Sequence, residues 1–294
     1  MEESGRIIAL LIDAENVSPK YIKVILDELS TYGTPAYKRI YGDWTNPEMA
    51  SWKKRLLENN LTPIQQFSYT QGKNASDSAM IIDAMDILYT KNCDGFCIVS
   101  SDSDFTRLAS RLRESRMFVI GMGESKTPMA FKSACDTFKY LDVLMNASSA
   151  QPKPAAKAVK QPAAKPARRT SKTAAKAVAD APADTAPEIP AEALPANGFN
   201  HADIQDEASA GFVPLEEIVH RIRELLDKDS NEDGYMSLSQ IGDILGRMYA
   251  DFDTRNYGFS KLHKLIEYTG EFETRYDRIP GGGKNLMVKN KAAG

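Results

Sequence analysis

Short apolar runs alternate with amphipathic stretches through the first half of the chain. The runs are rich in β-branched and aromatic residues, so they predict strands at residues 6–12, 35–41, 61–67, 95–101 and 116–122. Helical patterns fill the intervals, near residues 18–33, 47–60, 75–90 and 103–115. Alternating strands and helices imply right-handed crossovers and a parallel sheet that is covered on both faces. We therefore predict an α/β domain over residues 1–145, with its core between about residues 5 and 145.

A different pattern occupies the end of the chain. Apolar residues recur at helical spacing in "VPLEEIVHRIRELLDK", and two further helices fit "SLSQIGDILGRMY" and "GFSKLHKLIEYTG". The tail predicts two strands that are joined by a glycine turn at residues 281–283. Three helices followed by a hairpin are typical of a winged helix. We predict such a domain over residues 212–294.

Residues 146–211 separate the two predicted domains. This segment is rich in Ala, Pro and Lys, and it has no aromatic residue before Phe199, so it cannot bury enough apolar surface to order itself. Its charge is split, because the basic residues end at Lys176 and only acidic ones follow from Asp180 to Glu207. Two interpretations stay open: a solvated tether, or an arm whose basic half binds phosphate backbones without sequence preference.

Net charge and composition narrow the class of protein. The formal charge of −3 provides no global basic field, so any contact with nucleic acid must come from local patches. The 3 cysteines form no even disulfide framework and are expected to be reduced. The apolar run that begins at Arg6 is too short for a signal peptide or a membrane span. We expect a soluble, cytoplasmic protein.

Aspartates stand at the predicted carboxyl ends of two strands. Asp13 follows the first strand and Asp102 follows the fourth. Ligands of an open parallel sheet bind beyond the carboxyl ends of its strands, where the strand order reverses. With the order 3-2-1-4-5, strands one and four are neighbours, so the two carboxylates meet. Asp77 and Asp104, in the first turns of two helices, complete an acidic pocket, although each could instead be a helix N-cap.

A divalent cation would resolve the charge conflict in this pocket. Like charges packed together repel each other, and Mg²⁺ or Mn²⁺ prefers carboxylate oxygens and water. All 3 histidines lie outside this domain, so no softer site competes. The implied chemistry is metal-assisted attack of water on a phosphodiester. Asn16 could orient Asp13, hold a metal-bound water or simply make a turn bond. Lys73 could contact a substrate phosphate or simply be a solvated lysine of a loop.

The residues of the first domain resemble a known family. "LLIDAEN", "RIYGDW", "GKNASDSAMIIDAM" and "VSSDSDFTRLASRLRESRMFVIGMG" together are similar to the NYN domain, a family of PIN-like nucleases. The resemblance implies a Rossmann-like PIN fold, an acidic metal site and Mg²⁺- or Mn²⁺-dependent cleavage of single-stranded RNA. Matched motif by motif, it assigns the family's site to Asp13, Asn16, Asp77, Asp102 and Asp104.

The C-terminal stretch is similar to the LOTUS domain, also called OST-HTH, most clearly in "RNYGFSKLHKLIE". That resemblance implies a winged helix that binds RNA, including guanine-rich structured RNA, or a protein partner. The residues themselves suggest phosphate contacts from basic side chains around the third helix and on the glycine-rich wing: Arg255, Lys261, Lys264 and Lys284.

Three functions are compatible with these patterns. The leading hypothesis is a metal-dependent endoribonuclease to which the C-terminal domain delivers RNA. The second is a non-catalytic RNA-binding or scaffolding regulator with a vestigial acidic site. The third, a phosphohydrolase for small molecules, fits the same metal chemistry but has no need of a second domain.

Overall fold

The computed structural model describes residues 5–67, 75–150, 211–278 and 284–291. Its N-terminal part is a 6-stranded sheet in the order β3-β2-β1-β4-β5-β6, in which every neighbouring pair is parallel. The strands are β1 (Arg6–Asp13), β2 (Gly33–Gly42), β3 (Thr62–Gln65), β4 (Gly95–Val99), β5 (Phe118–Gly123) and β6 (Thr137–Tyr140). The predicted order is confirmed, and β1 and β4 are neighbours.

Helices cover both faces of this sheet. They are α1 (Ile22–Leu29), α2 (Lys53–Asn59), α3 (Ala75–Thr90), α4 (Thr106–Glu114), α5 (Met129–Ala134) and α6 (Leu141–Ala150). Alternate residues of β1 point to opposite faces, so Ile8, Leu10 and Ile12 join one buried cluster, while Ala9 and Leu11 join the other. The run of fully buried residues in β1 is what a strand covered on both sides requires.

The sequence prediction missed some features of this domain. The sixth strand is short, and its residues Lys139 and Tyr140 are buried by contacts that no local pattern reveals. The first helix ends at Leu29, and Gly33, expected to end that helix, begins β2 instead. Helix α6 continues to Ala150, five residues into the segment predicted to be linker.

The C-terminal part has the predicted helices and hairpin. Helices α7 (Leu215–Asp229), α8 (Leu238–Met248) and α9 (Leu262–Thr269) surround one core, and the strands are β7 (Met236–Ser237), β8 (Phe272–Arg278) and β9 (Lys284–Asn290). The three strands form an antiparallel sheet in the order β7-β9-β8. The predicted turn at residues 281–283 lies outside the described residues.

The two folded parts pack into one compact unit. The edge strand β6 takes part in this packing, because the backbone N–H of Phe138 donates to the carbonyl of Ala250 at 2.7 Å. An exposed strand edge is a site where unwanted strands can pair, and this bond covers part of it. Most of the predicted linker, residues 151–210, lies outside the described residues.

Candidate metal centre

The acidic residues lie at the carboxyl edge of the parallel sheet, where β1 and β4 end side by side. Ile12 is paired with Val99, so Asp13 and Ser100 emerge next to each other. The Ser100 hydroxyl donates to Asp13 Oδ2 at 2.8 Å and accepts the backbone N–H of Asp102 at 3.1 Å. Ser100 is completely buried, so it links the two strand ends from inside the core.

Asp13 is the most buried carboxylate of this edge, with 1% of its surface exposed. Besides Ser100, Asn16 Nδ2 donates to Oδ2 at 2.7 Å, and the backbone N–H groups of Glu15 and Asn16 donate to Oδ1 at 3.0 and 3.3 Å. Burial raises the pKa of Asp13, and these hydrogen bonds act in the opposite direction. Asp13 therefore fixes the loop after β1, and Asn16 is one of the groups that orient it.

Asp102 and Asp104 have different roles at the start of the helix that follows β4. Asp102 is the N-cap of a 3-10 turn over Ser103–Phe105, and its Oδ1 accepts the backbone N–H of Asp104 at 2.9 Å. Asp104 lies in the first turn itself, and the fully buried Phe105 anchors that turn in the core. Of the two aspartates, the cap is Asp102.

Three of the predicted carboxylates form one cluster. Asp77, Asp102 and Asp104 each offer an oxygen, and these oxygens all lie within 4.8 Å of one another. Asp77 is buried, Asp102 half-buried and Asp104 exposed, so the cluster opens from the protein interior to solvent. Asp13 is not a member of this cluster. Its position as a direct metal ligand stays a prediction.

The electrostatics of Asp77 reflect this crowding. Burial, followed by the charges of Asp13, Asp102, Asp104 and Glu15, raises its pKa from 3.8 to about 7. Such a carboxyl keeps its proton near neutral pH unless a cation compensates the repulsion. Hard carboxylate oxygens are the ligands that Mg²⁺ and Mn²⁺ prefer. The donor set therefore fits a divalent cation of this kind.

The raised pKa of Asp77 predicts how the stability of the fold depends on pH. Its carboxyl has a pKa of about 7 when folded and 3.8 as the unperturbed value, so the folded state holds the proton more tightly. The resulting stabilisation is complete below about pH 4 and is lost as the pH rises through about 7. In a chelator, we expect the melting temperature of Asp77→Asn to fall less than that of the wild type between these pH values. Parallel melting curves for the two proteins would contradict this.

Sequence reasoning missed several residues that support the cluster. The Ser76 hydroxyl donates to Glu15 Oε2 at 2.7 Å, which ties the loop after β1 to the start of α3 beside Asp77. Farther along α3, the Asp83 carboxylate accepts hydrogen bonds from Tyr41 and Arg39 of β2. Glu15 lies in the motif "LLIDAEN" and Ser100 in "VSSDSDF", so their place in these motifs is the one indication of a role that the sequence offered. The contacts themselves join residues that are far apart in the sequence.

The predicted RNA contacts are found in different environments. Lys261 and Lys264 are exposed at the start of α9, and Lys284 is exposed at the start of β9. Arg255 is half-buried, and its guanidinium donates to Glu28 of α1 and to Asp253. Its guanidinium is therefore already paired with carboxylates of the protein. Lys73 lies outside the described residues.

The fold and the acidic edge define a PIN-like protein with an appended winged helix. Residues 7–142 match the model of the NYN domain, and residues 214–282 match that of the OST-HTH/LOTUS domain. The chain thus carries an NYN domain followed by an OST-HTH/LOTUS domain. This class supports a nuclease-like role that involves RNA.

Among solved structures, the chain is similar to one from the genus Vibrio. It is a protein of unknown function, VPA0982, from Vibrio parahaemolyticus RIMD 2210633, with 17% identity and a TM-score of 0.40. The match covers 48% of this chain and 95% of that one. No curated protein matches the sequence. Within the described residues, every helix is too short or too polar to span a bilayer.

Proposed function

We propose that the protein is a metal-dependent endoribonuclease that cleaves single-stranded RNA. The observation that carries this proposal is the cluster of Asp77, Asp102 and Asp104 at the carboxyl edge of an NYN domain. The OST-HTH/LOTUS domain in the same chain supports RNA as the substrate. Residues 1–145 would be the nuclease domain, residues 146–211 a linker and residues 212–294 the RNA-binding domain, acting in the cytoplasm.

The acidic residues would share the work of the site. Asp77, Asp102 and Asp104 would hold Mg²⁺ or Mn²⁺, with Asp13 as a further ligand or as the organiser of the loop. When bound, such a cation polarises a phosphoryl oxygen and lowers the pKa of water. Asn16 and Ser100 keep Asp13 and the Asp102 backbone in place through hydrogen bonds of 2.7–3.1 Å. These side chains thereby preserve the geometry that transition-state stabilisation needs.

The C-terminal domain would supply most of the affinity for RNA. Lys261, Lys264 and Lys284 are exposed and would contact phosphates, which position a strand without reading its sequence. Lys73, four residues before Asp77 in the sequence, would add a contact to a substrate phosphate. Guanine-rich structured RNA and a protein partner are further ligands that this domain class suggests.

Removal of divalent metal tests the proposal directly. We expect the purified protein to cleave single-stranded RNA internally in Mn²⁺ or Mg²⁺, and to lose this activity in EDTA, because the carboxylates alone cannot polarise the phosphate. Product lengths on a denaturing gel separate internal cleavage from trimming at an end. RNA binding without cleavage under any divalent ion would instead support a non-catalytic RNA-binding regulator. Hydrolysis of a small phosphodiester but not of RNA would support the phosphohydrolase.

A further inference from the structure

A network of partly buried charges joins the NYN domain to the C-terminal domain. Both guanidinium nitrogens at the end of Arg255 donate to Glu28 of α1, each at 2.8 Å, in a two-pronged ion pair. Arg255 also donates to Asp253 at 2.6 and 2.9 Å. Paired hydrogen bonds of this kind fix direction as well as distance, so the contact is geometrically specific.

A lysine on the edge strand continues the network. Lys139 Nζ lies 2.6 Å from Asp253 Oδ2, and the two side chains are only 10% and 12% exposed. Although burial by itself raises it, the pKa of Asp253 is lowered well below its ordinary value by the hydrogen bonds from Arg255 and the charge of Lys139. Every charge in the network therefore has an opposite partner, as buried ions require.

A second polar contact lies beside the first. Tyr140 Oη donates to Asp251 Oδ2 at 2.6 Å, and Lys132 Nζ lies 3.7 Å from the same oxygen. Tyr140, Lys132 and Asp251 are all buried. The segment from Ala250 to Arg255 thus meets three elements of the NYN domain, namely α1, α5 and β6, within a stretch of six residues.

The position of this contact relates the two domains to the acidic cluster. Tyr140 is the last residue of β6, and β6 is separated from β4 only by β5. Neighbouring strands lie ~4.8 Å apart, so the backbone at the end of β6 is about 10 Å across the sheet from β4. The C-terminal domain therefore packs along β6 and reaches the carboxyl edge at Tyr140. The Glu28 contact lies toward the opposite edge, because α1 ends one residue after Glu28 and β2 then begins at Gly33, beside the first residue of β1.

We propose that Glu28 and Arg255 are positioning residues that make the C-terminal domain a fixed guide for the acidic cluster, so that one RNA strand engages both. The inference rests on the proposed function and adds a role for Arg255 other than the phosphate contact expected from the sequence. Lys261, Lys264 and Lys284 are exposed and would remain available for RNA in this arrangement.

The contact can be tested separately from catalysis. A protease site is inserted into the segment between residues 152 and 204 of the full chain, and the purified protein is cut there. Cutting matters because a tether alone maintains a high effective concentration of one domain around the other. The test variant is Glu28→Arg, and the matched control is Asp27→Arg, the same change of charge at the exposed neighbouring residue of α1.

We expect the two halves of the wild type and of Asp27→Arg to elute together in size-exclusion chromatography. In Glu28→Arg, the dissociation constant between the halves should rise at least about 30-fold, because Arg255 loses its partner and faces a like charge. Glu28→Gln should give a smaller rise. Circular dichroism confirms that each variant is folded. Halves of Glu28→Arg that stay together with wild-type affinity would overturn the proposal.

The guiding role is tested with the same cut proteins and two RNAs. One RNA joins a guanine-rich segment for the C-terminal domain to an unstructured stretch, and the other is the short unstructured stretch alone. We expect Glu28→Arg to lower kcat/KM for the joined RNA at least about tenfold and to leave the short RNA unaffected. Equal losses on both RNAs, or no loss on either, would overturn the guiding role. If the wild type cleaves neither RNA, the proposed nuclease function fails, whereas the elution experiment still supports or overturns the contact itself.

Discussion

Replacing Asp102 by Asn is expected to lower the rate of RNA cleavage about 100-fold or more, because it removes one carboxylate charge from the cluster that is proposed to hold the metal ion. Asn is the most informative substitution at this position, because it removes the charge and keeps the shape of the side chain. Asp102 Oδ1 caps the following turn by accepting the backbone N–H of Asp104, and an Asn side-chain oxygen can accept the same bond. The fold should survive while the charge is lost. Single-turnover cleavage in Mn²⁺ measures the effect.

The matched control is Asp86→Asn, the same substitution at an exposed position of α3. Its cleavage rate should equal that of the wild type. RNA affinity, measured by filter binding, should be unchanged in both variants, because the C-terminal domain is expected to supply most of it. If Asp102→Asn cleaves RNA as fast as Asp86→Asn, the acidic cluster is not the site of the reaction.

Replacing Asp13 by Ala is expected to produce the largest loss of stability, about 2–4 kcal/mol in the free energy of unfolding. The Ser100 hydroxyl and the Asn16 amide both donate to Asp13 Oδ2, and two backbone N–H groups donate to Oδ1. Alanine leaves these donors without their acceptor at a site that is 1% exposed, where water does not replace it. Urea unfolding in EDTA measures the loss without a contribution from bound metal.

Asp94→Ala is the matched control for this loss. The Asp94 carboxylate also accepts a backbone N–H, from Ile7 at 2.8 Å, but it does so at the exposed opposite edge of the sheet. Its removal should cost less than about 1 kcal/mol, because water can replace the carboxylate there. Equal losses in the two variants would show that Asp13 does not organise the strand ends as its contacts indicate.

The order of the strands and the identity of the acidic residues could be predicted from the sequence. β-Branched runs alternating with helical patterns define parallel crossovers, and aspartates that follow such runs lie at the carboxyl edge of the sheet. The division of roles between Asp102 and Asp104 could not be predicted. Both fit a helix start, and only the backbone geometry shows that Asp102 accepts the capping hydrogen bond.

The partner of Arg255 could not be predicted from the sequence either. Within "DTRNYGFSKLHK", a basic residue before a winged-helix segment indicates a phosphate contact as readily as any other partner. Its actual partner, Glu28, is 227 residues away in the sequence, in a helix whose acidic residues look like an ordinary solvated surface. No periodicity or composition relates positions that far apart.

The sequence by itself determined the α/β class, the winged helix and the set of carboxylates, because these depend on local periodicity and on residues adjacent to strand ends. Only the tertiary structure decided which carboxylates form the cluster, that Ser100 joins Asp13 to the Asp102 backbone, and that the two domains meet through Glu28 and Arg255. These features depend on distances between side chains from separate elements, and such distances are set by packing rather than by the order of residues in the chain.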